Sequence, residues 1–336
     1  MSKILTVKVA AYNVEKYIEK CLDSFTDERY RDELQVIVVN NQCPDNTLMI
    51  LRKYEEKYPD LFMVVAQENQ GYASTFNVGF EHANGKYFMY VDGDDWLTPE
   101  ELYQHINILK KCDSDLVVSN LVGVYEKNGK EKKCTYSGKN AIGQIYEFDK
   151  AFFPEKIIPG AHPLTVKTAL LKEGDLKVHI ENNIPEVEYE LWAILHAKTV
   201  LYTGLFLYHY RTGIDTQASN AKNLVRVENR MYSAALMFAD WLEQEENLSQ
   251  GQYEYFAIRV GGVFAVLTRI ELLYPLSFER WKKIRALLKE VKNKNIKIYE
   301  KIHFSSKMLY WGTPIYYVVI AVMYRIYKKY HKWAML

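Results

Sequence analysis

Apolar runs recur along the first third of the chain: ILTVKVAA from Ile4 to Ala11, LQVIVVNN from Leu34 to Asn41, FMVVAQ from Phe62 to Gln67, YFMYVD from Tyr87 to Asp92 and DLVVSNLVGVYE from Asp115 to Glu126. Between them, from Val14 to Phe25, Asp45 to Tyr58, Tyr72 to Ala83 and Pro99 to Lys111, apolar positions recur near every 3.6 residues. Short β-rich runs alternating with helical patterns predict an α/β fold, a mainly parallel sheet flanked by helices. From about Asn223 the alternation stops and long helical patterns take over.

Ligands of such open sheets sit at the carboxyl ends of the strands. Asn40 and Asn41 end one apolar run, and Asp92, Gly93 and Asp94 end another, so both should meet in one crevice. Asp92, Asp94 and Asp95 put three carboxylates within four positions. Such a cluster must be solvated, paired or metal-bound, because unpaired buried carboxylates repel and take up protons. A hard divalent cation, Mg²⁺ or Mn²⁺, would satisfy it through oxygen ligands. The competing reading is a loop whose acids cap the helix that starts near Pro99.

Composition narrows the class without naming a function. The chain has 336 residues, 49% hydrophobic and 25% charged, enough for one large domain or two ordinary ones. The formal net charge of +1 gives the whole molecule no strong electrostatic preference. Cys21, Cys43, Cys112 and Cys134 form no CxxC pair and have no histidine at metal-ligand spacing, which argues against zinc and against a disulfide scaffold. A reduced, cytoplasmic chain is expected, and the first residues read as a strand rather than a secretion signal.

The stretches AAYNVEKYIEKCLDSF, VIVVNNQCPDNT, NQGYASTFNVGFEHANGKYFMYVDGDDWLTPE and YHYR run in order between about Ile4 and Arg211. In them the chain resembles the family 2 glycosyltransferases of GT-A fold, of the bacterial surface-polysaccharide type. The resemblance implies a nucleotide-sugar donor whose diphosphate is held through a divalent ion, which neutralises charge developing on the leaving group. By resemblance Asp94 is the direct metal ligand, Asp92 contacts the ribose or the metal's waters, and Asp95 supports or shares the site. Tyr12 would stack on the nucleotide base. Ala10, Asn69, Gly71, Asn77 and Gly93 would complete the donor side with Asn40 and Asn41. Two departures stand out: the asparagine pair replaces acidic residues, and Phe76 stands where many relatives carry a basic side chain.

Inverting displacement also needs a carboxylate base near the acceptor hydroxyl. Aligning AILHAKTV with the family's helix makes Glu186 that base, with Glu188 and Glu190 as competitors. All three equally suit the first turns of a helix, where its dipole favours acids. Arg211, with Gln217 and Ser219 in the loop that follows, would close over the diphosphate, though Arg211 equally suits a structural ion pair. Trp96 and His162 would line the acceptor side, with a structural histidine as the alternative.

Near the C-terminus, Arg280 to Lys307 holds ten Lys/Arg against two acids, interleaved with apolar residues. The apolar run Pro314 to Tyr324 is too short for the roughly 20 residues that span a bilayer. Helices lying in an anionic membrane surface fit this pattern, and packing against the catalytic domain or a second subunit is the alternative. SFERWKK carries only part of the QxxRW signature of processive synthases, so one sugar per encounter is expected. The expected layout is a catalytic domain at 1–222, with a nucleotide-sugar half to about 125 and an acceptor half from about 126, and a helical region at 223–336. The chain then reads as a metal-dependent inverting transferase, peripheral on the inner face of the plasma membrane, acting on a glycan or lipid-linked acceptor. A homo-oligomer is left open and no nucleic acid is expected. The alternatives are a nucleotidyltransferase-like enzyme and a non-catalytic membrane scaffold with a degenerate site.

Overall fold

The structure is a computed structural model that describes residues 3–151, 158–173, 176–214 and 221–330. Contacts divide the chain into two compact units, Met1–Arg211 and Thr212–Leu336.

The first unit starts with strands β1 (Leu5–Ala11), β2 (Leu34–Asn41), β3 (Phe62–Gln67) and β4 (Tyr87–Asp92). Helices α1 (Ile18–Asp23), α2 (Thr47–Lys57) and α3 (Tyr72–His82) alternate with them. The short β5 (Trp96–Leu97) precedes α4 (Pro99–Lys111), whose first turn carries Pro99, Glu100 and Glu101 and whose last carries Lys110 and Lys111. That distribution suits both the proline geometry and the helix dipole. Then come β6 (Leu116–Tyr125), β7 (Lys130–Cys134), β8 (Ile145–Glu147), β9 (Leu164–Lys167), α5 (Thr168–Glu173), α6 (Pro185–His196) and β10 (Thr199–Thr212).

Among the described residues these strands form one sheet in the order β3-β2-β1-β4-β9-β6-β10-β5, with β7 on β6 and β8 on β10. The stretch β3-β2-β1-β4 is parallel. Beyond it, β9 runs antiparallel to both β4 and β6, and β5 and β8 run antiparallel to β10, so the sheet is mixed. The sequence pattern missed this half because β5, β8 and β9 have only two to four residues, too few for a readable period.

The parallel strands read as continuous apolar runs because both their faces are covered. On one face Leu5, Val7, Val9, Ala11, Tyr87, Met89 and Val91 pack with Ile18 and Leu22 of α1, Leu51 of α2 and Leu102, Ile106 and Leu109 of α4. On the other, Phe76 and Phe80 of α3, Phe88 and Tyr90 of β4 and Tyr189 of α6 form a continuous ring cluster.

The second unit holds α7 (Ala221–Gln244), α8 (Gln250–Glu271), α9 (Phe278–Lys294), α10 (Ile296–Lys301), α11 (Phe304–Trp311) and α12 (Pro314–Tyr330). Ser249 and Gln252 form a capping box at the start of α8. Phe238, Phe256, Val260, Phe264, Ile284, Leu288 and Ile298 are fully buried. Buried Glu271 pairs with Arg280 at 2.8 Å and with Lys283, which also holds Glu228 at 2.5 Å. Among the described residues no helix is long and apolar enough to cross a membrane.

Candidate active site

Register brings the predicted strand ends together. Ala10 pairs with Asp92, Ala11 with Asn40, and Asn41 with Gln67. The Gly93 amide donates to the Ala10 carbonyl at 3.0 Å, and a Cβ on Gly93 would stand 2.7 Å from that oxygen, so only glycine fits the turn. Tyr12 lies at the lip of this edge, 51% exposed.

The asparagine pair is divided in its work. Asn41 is buried; its amide nitrogen donates to Asn69 Oδ1 at 3.0 Å and the Gly71 carbonyl at 3.1 Å, and its oxygen accepts from Gln67 Nε2 at 3.0 Å. Asn69 Oδ1 also accepts from the Gly71 amide, so Asn41, Asn69 and Gly71 form a self-satisfied brace before α3. Asn40 is buried beside the Cys43 thiol. Asn77 does equivalent work on α3, donating to the Val178 carbonyl at 2.9 Å and accepting from its amide at 2.8 Å.

The three aspartates differ sharply. Asp95 is buried, with Oδ2 accepting from the Tyr208 hydroxyl at 2.8 Å and Oδ1 from the Arg211 amide at 2.7 Å. Asp92 accepts from the Tyr72 hydroxyl at 2.5 Å and has His162 Nε2 3.4 Å from its other oxygen. Burial opposes the charge on Asp92, but His162, Lys8 and Tyr72 together outweigh it and leave its pKa below the ordinary value. Burial, then the charge of Asp92, push Asp94 up to about 7, and burial, then the charges of Asp94 and Asp92, push Asp95 well above the carboxylate range. Crowded carboxylates short of positive charge behave in this way.

Arg211 is tied into the same loop. Its Nε donates to the Asp94 carbonyl at 2.7 Å, Nη1 pairs with Glu126, and the guanidinium lies over the rings of Tyr17 and Trp96. Trp96 also stacks on His209 and carries the Lys20 ammonium 3.3 Å from its ring centre. Gln217 and Ser219, expected in a closing loop, lie outside the described residues. His162 is boxed by Tyr90, Tyr208 and Tyr210, with ring centres 4.8 to 5.3 Å away.

Glu186 opens α6 half-buried, and its charge reaches Lys8, Tyr72 and Tyr90. Glu188 and Glu190 are fully buried. Glu188 accepts from the His179 amide at 3.2 Å, His179 Nδ1 at 2.5 Å and Asn182 Nδ2 at 2.6 Å. This sinks Glu188 into the turn before α6 as a brace. The spacing of acids along the first turn had left it equivalent to Glu186, and only its partners separate the two.

The sequence reading missed Lys8, although a lysine inside an apolar strand of a two-sided sheet was itself a signal. It is fully buried, with its ammonium 3.7 Å from the centre of the Phe76 ring, 4.8 Å from Tyr72 and 5.4 Å from Tyr90. Burial lowers its pKa to about 7, against the opposing pull of Asp92 and Glu186. The Lys8 amine thus lies over the ring of Phe76, the position where a basic side chain was expected.

Asp92, Asp95 and His162 each place one ligand atom within 4.8 Å of the others. Two carboxylates and an imidazole suit Mg²⁺ or, with the nitrogen, Mn²⁺, and a bound cation would relieve the crowding that raises Asp94 and Asp95. The donor set fits a divalent ion, and His162 lies within this cluster.

A half-parallel, half-antiparallel sheet carrying an aspartate loop at the edge of β4 defines a GT-A domain. Residues 6–164 match the model of Glycosyl transferase family 2, and this segment is a family 2 glycosyltransferase domain. The Bacillus subtilis (strain 168) protein EpsH is 28% identical over 216 residues, covering 62% of this chain and 60% of its own. The poly(ribitol-phosphate) beta-N-acetylglucosaminyltransferase TarS of Staphylococcus aureus (strain Mu50) is 27% identical over 218 residues, 62% of this chain and 35% of its own. The chain therefore spans less than two thirds of these relatives. The crystal structure of S. aureus TarS 1-349 with UDP-GlcNAc superposes with a TM-score of 0.69 at 19% identity, over 96% of this chain and 92% of that one. A Pyrobaculum calidifontis mannosyltransferase with GDP-Man and Mn²⁺ gives 0.53 at 15% identity, over 98% and 88%.

Proposed function

We propose that this chain is a metal-dependent, inverting glycosyltransferase that moves a hexosyl or N-acetylhexosaminyl group from a nucleotide-diphosphate sugar, a UDP-sugar first among them, to a glycan acceptor in surface-polysaccharide synthesis. The observation that carries it is the register of β1 and β4, which sets Asp92 and Gly93, the start of the aspartate loop, against Ala10 at one sheet edge. The family 2 domain and the sugar-nucleotide complexes of the structural neighbours support the donor class.

In this reading Asp92, Asp95 and His162 would hold the divalent ion, with Asp94 beside them in the same loop. Bound there, the ion supplies charge neutralisation for the leaving diphosphate. Tyr72 and Tyr208 fix the aspartates by donating to them. Arg211 holds the loop's shape through the Asp94 carbonyl and the Asp95 carboxylate. Tyr12 offers its exposed ring to the base. Glu186 takes the acceptor's proton as its oxygen attacks the anomeric carbon, and the nucleoside diphosphate leaves with the electron pair of the broken C–O bond. Glu188 and Asn77 hold the turn on which Glu186 stands.

The acceptor is lipid-linked and the enzyme works at the cytoplasmic membrane face, with 1–222 catalytic and 223–336 docking on anionic lipid. Support comes from α12, where Ile315, Tyr316, Val318, Val319, Val322, Met323 and Ile326 form an exposed stripe without a charge while Tyr317 and Ala321 are buried. Apolar residues on one outward face and basic residues nearby suit an interfacial helix.

The test is a panel of nucleotide sugars screened for Mn²⁺-dependent binding and slow hydrolysis, wild type beside Asp94→Ala. One donor turned over by the wild type and not by the variant is expected. A folded wild type that binds none of the panel would refute the transferase and favour a scaffold.

A further inference from the structure

The Lys8 ammonium has no hydrogen-bond partner among the described residues, and neither has the neighbouring Tyr90 hydroxyl. A buried cation without an acceptor is destabilising unless something else requires it. Its place is nonetheless built. A Cβ on Gly79 would stand 2.7 Å from Lys8 Cγ, so the glycine of α3 leaves the groove in which the lysine stem lies. Three aromatic faces, Tyr72, Phe76 and Tyr90, then receive the charge.

The surroundings of this charge indicate its use. Lys8 pairs with Tyr90 and Ala10 with Asp92, so Lys8 lies two positions down β1 from the aspartate loop and on the same face of the strand. Asp92 and Glu186 are the carboxylates whose charge it feels. Tyr72 links them physically, its ring beside the ammonium and its hydroxyl donating to Asp92. A diphosphate entering this edge meets the carboxylate of Asp92, which keeps its charge, with Asp94, Asp95 and Glu186 crowded beside it, and that charge opposes any anion.

We propose that Lys8 is a positioning residue for the donor diphosphate: a buried positive charge beneath the aspartate loop, acting through Tyr72 and Asp92, that lowers the repulsion an anionic ligand meets there. The proposal rests on the donor-site reading above and assigns a role to a residue that makes no direct contact with the loop. It predicts a charge-selective effect. Lys8→Met keeps an unbranched side chain one atom shorter and removes the charge, so it should weaken a nucleoside diphosphate and leave the uncharged nucleoside alone.

The experiment measures binding of UDP and uridine, and of GDP and guanosine, to the full chain with Mn²⁺, for the wild type, Lys8→Met and Lys8→Gln, with thermal melting alongside. Expected is a loss of about tenfold for the diphosphate, less than about twofold for its nucleoside, and a melting temperature at or above the wild type's. In an Asp92→Asn background the same Lys8 change should cost the diphosphate much less, since the two act as one unit. Equal losses for diphosphate and nucleoside, no loss for either, or failure of both variants to fold would make Lys8 a packing residue and overturn the proposal. Wild type that binds neither diphosphate would instead overturn the donor-site reading, and this proposal with it.

Discussion

The two faces of β1 and β4 share a backbone and have opposite chemistry. On one, Val7, Val9, Met89 and Val91 meet the aliphatic side chains of α1, α2 and α4. On the other, Lys8, Tyr90 and Asp92 face rings, a histidine and a half-buried glutamate. Strand alternation sends neighbours to opposite sides, so a single strand can anchor the fold with one set of residues and build a site with the next. The lesson is that the first face should yield stability when perturbed and the second function.

The largest expected effect is on the second face. Asp92→Asn removes a carboxylate from the donor set and should lower donor turnover by about 10³-fold with the melting temperature little changed. A comparable loss of stability would break the contrast between the faces.

Lys8→Met sharpens it, because it should make the protein more stable. The folded-state pKa of about 7 lies below the ordinary 10.5, so the folded state disfavours the charged form. The unfolded chain binds the extra proton between these values, so wild-type stability rises with pH from about 7 to 10.5 and is lost as pH falls back through 7. Removing the charge should add about 4 kcal/mol at pH 7 and flatten that rise, read by denaturant melts at several pH values. Met89→Ala on the opposite face should do the reverse, costing about 3 kcal/mol through a cavity while the folded fraction keeps its turnover.

His105 supplies a pH test far from the site. It is fully buried on α4, with Nε2 2.9 Å from Thr165 Oγ1, and burial lowers its pKa to about 4. The unfolded chain takes up the proton first, so stability should fall by up to about 3 kcal/mol as pH drops from 6.5 through 4, and His105→Gln should remove that slope. The smallest effect concerns α12. Replacing Val319 and Val322 with serine should weaken co-sedimentation with anionic liposomes by about tenfold, and deleting Pro314 to Leu336 should abolish it. Binding unchanged by the deletion would remove the membrane role, and a change in oligomeric state would assign the stripe to a second copy.

Much of the first unit was legible in the sequence. α4 spans the predicted residues, and β2, β3 and β4 match their apolar runs residue for residue, because buried parallel strands and an amphipathic helix with proline and acids in its first turn leave strong local patterns. α1 is shorter than its pattern: the stretch from Val14 to Tyr17 forms a turn, and the helix ends at Asp23. The aspartate loop and its facing asparagines were visible as polar groups ending apolar strands. The order of the antiparallel strands was not, since pairings such as Phe88 with Val166 depend on distant segments with no local signature.

The sequence by itself determined which residues would form the parallel strands, where their sheet would turn acidic, and that a helical region follows, because short-range periodicity and strand-end polarity are written in neighbouring positions. Only the tertiary structure decided how each acid is used. His162 comes to Asp92 from a segment seventy positions on, Arg211 and Tyr208 come to Asp95 from β10, and His179 and Asn182 hold Glu188 in place of Glu186. A carboxylate's role is set by the charges and hydrogen bonds that surround it, and those partners are assembled by folding.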